Sequence, residues 1–343
     1  MMNPMKKPIL IGTLGAAVAV FACAAASAAT LDDVRERGLV KCGVSGGLPG
    51  FSNKDEAGNW RGLDVDYCRA VAAAIFNDPS AVEFTELSAT ERFRELESGN
   101  IDILPRNTTW TMSYDTQHDL NFTGTNYYDG QGFMVRTELE MNSALELSGA
   151  LICTTKGTTT ELNVIDYFST HNMDYRLISF EKSDDVIAAY AEKRCDAYTS
   201  DQSALYARRL TLADPEEHKV LPEVISKEPL SPAVREGDDE WFDIVKWVHF
   251  ALLNAEELGV SQQDVDSMLD SDNHAVRRLL GTDGDFGASF GLENDWAANM
   301  IRSVGNYGEI FDRNLGPGTE LGIARGVNAL WTKGGLMYAP PIR

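Results

Sequence analysis

Two stretches of this chain repeat one another. Ser88-Ala89-Thr90-Glu91 has capping-box spacing, Phe93 and Leu96 follow on the inner face of a helix, and Gly99 stops it before the buried run Ile101-Asp102-Ile103-Leu104. Ser183-Asp184-Asp185 opens a second helix with Val186, Ile187 and Tyr190, and Cys195-Asp196-Ala197-Tyr198 reads as its strand. Sliding one onto the other by 94 positions aligns Leu96 with Tyr190 and Asp102 with Asp196. It also brings Asn107 onto Asp201, each five residues beyond its strand aspartate. The repeat predicts two similar α/β lobes whose strand-end loops carry related polar residues.

The surrounding pattern agrees. Leu39 to Val44 reads as a first strand, Asp64 to Phe76 as a helix with Val65, Ala72 and Ile75 inward, and Val82 to Phe84 as a second strand. Alternation of this kind predicts open α/β sheets, with ligands at the carboxyl ends of strands. The loops after Val44, Leu104 and Thr155, and the loop holding Asp201, lie at such ends. Beyond Val234 the chain turns helical. Trp241 to Leu258 is apolar over most of its circumference but interrupted by Asp243, Lys246 and His249, which marks a packed helix and not a membrane span. Trp296 to Phe311 reads as another helix. Gly316 to Arg343 is rich in Gly and Pro, with Trp331 and Tyr338 as expected anchors onto the first lobe.

Gly157-Thr158-Thr159-Thr160-Glu161 follows the β-leaning run Ala150 to Thr155 and precedes the helical stripe Leu162, Ile165, Phe168. Thr158 and Glu161 have capping-box spacing. The first amides of a helix have no intrahelical partner, so they present N–H groups and the positive dipole end to an anion. The stretch lacks the Gly-Lys-Ser/Thr ending of a nucleotide phosphate loop. An ordinary capped helix is the alternative reading of these five residues.

The amino terminus has a secretory layout: Lys6 and Lys7, an apolar stretch from Ile9 to Ala22, and a small-residue cleavage site at Ala26-Ser27-Ala28. Residues 1–28 are therefore expected to be a signal peptide and the protein periplasmic. A lipidated Cys23 after Phe21-Ala22 is the weaker alternative. Cys42, Cys68, Cys153 and Cys195 remain, an even count in an oxidising compartment. Four cysteines allow three pairings. Cys42–Cys68 with Cys153–Cys195 keeps each bridge inside one proposed lobe and is the expected one. Their spacings, and five histidines scattered singly, speak against a metal site. The net charge of −22 becomes −24 once Lys6 and Lys7 are lost, a surface that repels nucleic acid and anionic membranes.

The chain resembles the periplasmic solute-binding proteins of ABC importers, and within them solute-binding family 3 in its long general L-amino-acid branch. The resemblance rests on Gly47-Leu48-Pro49-Gly50-Phe51-Ser52, Arg106-Asn107-Thr108-Thr109-Trp110-Thr111, Asn126-Tyr127-Tyr128-Asp129-Gly130-Gln131-Gly132-Phe133, Asp196-Ala197-Tyr198-Thr199-Ser200-Asp201 and Asn328-Ala329-Leu330-Trp331-Thr332-Lys333-Gly334-Gly335-Leu336. It implies a two-lobed, hinged, periplasmic-binding-protein-like (type II) α/β fold with an added helical C-terminal region. Lobe 1 is expected over 29–136 plus 235–343 and lobe 2 over 137–234, with crossings near Arg136–Met141 and Ile225–Val234. The implied function is a non-catalytic, monomeric receptor without cofactor that captures an L-amino acid between its lobes and delivers it to membrane permease subunits.

The resemblance also implies a site. Asp201 would hold the ligand ammonium, although it could equally cap the helix that follows. Gly157, Thr158 and Thr159 would contact the carboxylate, Asn107 and Thr109 would contribute from the other lobe, and Phe51 and Trp110 would form apolar walls. One position departs from the family pattern. Relatives carry an arginine shortly after Thr-Thr-Trp to fork the carboxylate, and here Tyr114 stands there. Arg106 or Lys156 is the expected substitute, or else the ligand is not a standard α-amino acid. An enzyme on the same scaffold is the rival class, but the chain shows neither a wall-hydrolase acid pair nor a Gly-x-Ser-x-Gly elbow. A subunit reporting to a sensor kinase is a third.

Overall fold

A computed structural model describes residues 29–343. The expected signal segment and the Cys23 alternative lie outside the described residues.

The second half of the repeat builds a five-stranded sheet in the order His218–Val220, Gln131–Arg136, Ala197–Asp201, Ala150–Thr155, Tyr175–Phe180. The last three are parallel and the first two antiparallel to their neighbours. The first half follows the same plan more loosely. Val40–Val44 pairs parallel with Val82–Glu86, a bridge joins Cys42 to Ile103, another joins Leu104 to Ala233, and Ala233–Arg235 runs antiparallel to Leu120–Phe122. The two repeat aspartates do the same job. Asp102 accepts the Lys41 amide at 2.8 Å while its own amide donates to the Lys41 carbonyl at 2.8 Å. Asp196 accepts the Leu151 amide at 2.8 Å and donates to the Leu151 carbonyl at 2.7 Å. Each carboxylate satisfies an amide at the second residue of a parallel strand of its lobe, Val40–Val44 or Ala150–Thr155. Both expected disulfides form, Cys42–Cys68 and Cys153–Cys195. By loop length each contributes about 3–4 kcal/mol.

The lobes are joined by an antiparallel pair, Tyr127–Asp129 with Glu228–Leu230. The first crossing thus falls at Asp129–Gln131, not at Arg136–Met141, and the boundary at 136/137 moves with it. Gln131–Arg136 is buried at all six positions. A strand with no alternation carries no mark of which sheet it will enter; its pairing with Ala197–Asp201 decides that.

The C-terminal helices pack on the first lobe. Trp241, Val248, Met300 and Phe311 share one core with Val40 and Val71. The helix expected over Trp296–Phe311 is two, Trp296–Val304 and Tyr307–Asn314, separated where Gly305 takes φ 78° and Asn306 forms a capping box with Glu309. Trp331 and Tyr338 are half exposed and anchor little; Leu330 and Met337 are the buried residues of this segment. Asn328 performs a different task. Its side-chain amide donates to the Tyr128 carbonyl at 3.0 Å and accepts the Tyr128 amide at 2.7 Å, acting as an extra strand residue against the hinge.

Candidate functional site

The carboxyl ends of the strands from both lobes face one another across a cleft that includes Ser45, Arg106, Asn107 and Thr109 from lobe 1 and Thr158, Thr159 and Asp201 from lobe 2. The lobes are in contact around it. The Tyr114 hydroxyl donates to the Gly157 carbonyl at 3.4 Å, and Thr90 donates to Glu181 at 3.3 Å. Glu228, on the hinge strand, accepts from Thr109 at 2.5 Å in lobe 1 and from Thr159 at 2.8 Å and Asn163 at 2.7 Å in lobe 2.

The anion side is the start of helix Thr159–Thr170. The reciprocal box expected between Thr158 and Glu161 does not form. Glu161 accepts the Gly157 amide at 3.0 Å, and the Thr158 hydroxyl turns back to donate to the Thr155 carbonyl at 2.7 Å. Among the described residues no side chain or loop carbonyl takes the amides of Thr158 and Thr159, so they are available to an anion. Gly157 makes this turn with φ 72°, and a Cβ there would lie 3.1 Å from Thr90 of the opposite lobe.

The cationic partner is one that sequence reasoning missed. Arg92 is only 3% exposed and lines the cleft. One terminal nitrogen donates to Thr108 at 3.2 Å, while its buried Nε has no partner. The Tyr114 ring packs against its guanidinium, 5.5 Å away, so the residue in the expected arginine's place supports a different arginine. Arg106 also lines the cleft, and burial followed by repulsion from Arg92 lowers its pKa to about 9. Lys156 does not reach the cleft. It is exposed and pairs with Glu181 at 2.8 Å, so it is no substitute for the missing fork.

The acid side is a cluster. Asp201 stands at the N-cap position of helix Gln202–Arg209 but its side chain makes no cap hydrogen bond, which leaves the carboxylate to the cleft. Burial, then Asp129 and Glu228, push its pKa well above the usual value, while Arg92 and the Asn107 side chain oppose the rise. Asp129 is raised to about 6, chiefly by burial, against hydrogen bonds from Ser203 and Gly130. Asn107 sits in the left-handed region, φ 35°, held by its amide's bond to Asp64 at 3.2 Å, and its buried Oδ1 has no partner. Asp129 lay in one of the matched motifs and Glu228 in the expected second crossing, but neither carried a signal that marked it as a site residue.

Two expected walls are elsewhere. Phe51 is buried in the lobe 1 core, edge-on to Tyr127 at 5.2 Å, and does not line the cleft. Trp110 stacks on Phe122 at 5.7 Å and is 41% exposed. Thr109 lines the cleft, but its hydroxyl proton is committed to Glu228.

A cleft between two lobes on a two-strand hinge, lined by a buried acid, buried guanidinium groups and open helix amides, defines a two-lobed solute receptor of the periplasmic-binding type. The model of the bacterial extracellular solute-binding proteins, family 3, matches residues 40–262, and the chain belongs to that family. It is 58% identical over 341 residues to the general L-amino acid-binding periplasmic protein AapJ of Rhizobium johnstonii, covering 99% of this chain and 100% of that one. It is 48% identical over 340 residues to the glutamate/glutamine/aspartate/asparagine-binding protein BztA of Rhodobacter capsulatus, with 99% and 100% coverage. A Brucella ovis ABC-transporter periplasmic binding protein, solved with glutathione bound, superposes with TM-score 0.91 at 55% identity, covering 92% and 100%.

Proposed function

We infer that this protein is a periplasmic receptor that captures L-amino acids between its lobes and delivers them to the permease of an ABC importer. One observation carries the assignment to a zwitterion: Asp201, a buried carboxylate left uncapped, lines the same cleft as Arg92, a buried guanidinium with an unpartnered Nε. An α-amino acid needs such opposed holders a few ångströms apart. Asp201, backed by Asp129, takes the ammonium by charge-assisted hydrogen bonds. Arg92 and the amides of Thr158 and Thr159 take the carboxylate, and the unpartnered Oδ1 of Asn107 accepts from the ammonium. Arg92 and Asp201 act on each other's ionisation, whereas Arg106 is acted on by Asp64, Glu86 and Glu91. Ligand contacts to both lobes favour the closed form, which the permease then recognises on a monomeric receptor.

Residues 1–28 act as the export signal, in keeping with the two disulfides. The receptor performs no turnover. The bound tripeptide in the Brucella ovis relative favours a second reading, a ligand longer than a free amino acid.

A thermal-shift and calorimetric screen of residues 29–343 against the twenty amino acids, small peptides, di-acids and amines tests both readings. Shifts with several L-amino acids, lost in Arg92→Gln, are expected. Silence from every amino acid alongside a shift from another solute would keep the fold and sink the zwitterion assignment.

A further inference from the structure

Tyr114 stands behind the anion side of the cleft without lining it. Its short helix, Met112–Gln117, is capped by the Thr111 hydroxyl, which accepts the Tyr114 amide at 3.1 Å. Its ring packs on Phe93 with centroids 4.8 Å apart. Held there, the side chain meets two carboxylate holders at once. The ring backs the Arg92 guanidinium at 5.5 Å. Arg92 is otherwise fixed by the Thr108 hydroxyl at 3.2 Å and the Phe93 ring at 4.7 Å, and its buried Nε has no partner.

The hydroxyl crosses to lobe 2 and donates to the Gly157 carbonyl at 3.4 Å. That carbonyl belongs to the same peptide unit as the Thr158 amide. A peptide unit is planar and trans, so its carbonyl and N–H point opposite ways and turn together. Thr158 lines the cleft and Gly157 does not. With the carbonyl drawn out to Tyr114, the N–H is turned in towards the ligand. Glycine leaves this peptide unusually free to rotate, and a hydrogen bond on its carbonyl removes that freedom while strengthening the N–H as a donor.

We propose that Tyr114 is a positioning residue for the ligand carboxylate. Its ring sets Arg92 in lobe 1 and its hydroxyl sets the Thr158 amide in lobe 2, so the two holders are aimed together only when the lobes are closed. This rests on the carboxylate being held by Arg92 and the amides of Thr158 and Thr159. A group that binds through fixed donors loses affinity when the residues supporting those donors are removed.

Calorimetry with L-glutamate and L-alanine on residues 29–343 tests it, as wild type, Tyr114→Phe, Tyr114→Leu and Arg92→Gln. The Thr158 amide proton shift, followed by NMR with and without ligand, supplies a second readout. Tyr114→Phe keeps the ring and should weaken both amino acids by about three- to tenfold. Tyr114→Leu also removes the ring and should weaken them by more than about tenfold. In both variants the ligand-induced shift of the Thr158 amide proton should shrink. A bond as long as 3.4 Å adds little to stability, so Tyr114→Phe should melt like wild type and carries the test if Tyr114→Leu does not fold. Unchanged affinity in the Tyr114 variants overturns the proposal, and so does a loss of affinity in which the Thr158 proton still shifts as in wild type. Either result, with binding lost in Arg92→Gln, leaves the carboxylate reading intact. Full binding in Arg92→Gln overturns that reading and the proposal with it.

Discussion

Asp201 illustrates how one side chain is made available for binding. It sits where a helix N-cap belongs, yet its carboxylate caps nothing, and two further acids crowd it. Such a site is held in tension until a cation arrives. Asp201→Asn should weaken amino-acid binding by at least about 30-fold, read by calorimetry, while leaving the ligand-free melting point unchanged or higher. The pH dependence follows from the same groups. Ionised carboxylates bind the ammonium, so affinity should fall as pH drops through about 6, where Asp129 takes up its proton. Ligand-free stability runs the opposite way. Asp129 and Asp64 have folded pKa values of about 6 and about 8, above their ordinary 3.8, mainly through burial. Their folded forms bind protons more tightly than the unfolded chain, so the stabilisation is complete below about pH 4 and is lost as pH rises through 6 and 8. The melting-point gain on adding ligand should therefore be larger at pH 8 than at pH 5. An equal gain at both would count against the acid cluster as the ammonium site.

The helix start after Gly157 shows what a short element needs in order to hold an anion. Its open amides depend on a left-handed residue at φ 72° and on a lobe-to-lobe approach in which an added Cβ would press on Thr90 at 3.1 Å. Gly157→Ala should cost about 1–2 kcal/mol in stability, because an L-residue is strained in that region. It should also weaken ligand binding by pushing Thr90 away, and chemical denaturation with a parallel titration separates the two effects. Thr90→Gly in the Gly157→Ala background should restore affinity but not stability. The hinge element has a support of its own kind: Asn328 completes the hydrogen bonding of Tyr128 from a segment 200 residues away. The C-terminal region thus packs on lobe 1 and also braces the strand about which the lobes move.

Closure of the whole molecule converges on Glu228. It is 1% exposed and accepts hydrogen bonds from both lobes and from Ser226 of its own crossing. Removing it takes the shared acceptor from Thr109 of lobe 1 and from Thr159 and Asn163 of lobe 2 in the closed form, so Glu228→Ala should shift the ligand-free protein towards the open form. Small-angle scattering should then show a larger radius of gyration without ligand and a larger contraction on saturation than in wild type. No difference in either would mean that these bonds do not bias closure. The disulfides act at another level, since each lies within one lobe and leaves the hinge unconstrained.

The repeat, the two lobes, the disulfide pairing and the strand-end position of Asp201 were all readable from the chain, because caps, stops and buried runs act over a few residues and leave their mark locally. Arg92 was not. It follows a capping sequence beside Phe93, as many solvent-facing helix residues do, and Asp201, with which it shares the cleft, lies more than a hundred residues away in the other lobe. Phe51 and Trp110 could not be sorted into core and surface, nor Gln131–Arg136 assigned to a sheet, for a related reason. Periodicity tells which residues share a face but not what that face meets. Strand pairing and lobe closure bring distant charges into one buried cleft, where they act on each other more strongly than they would in water.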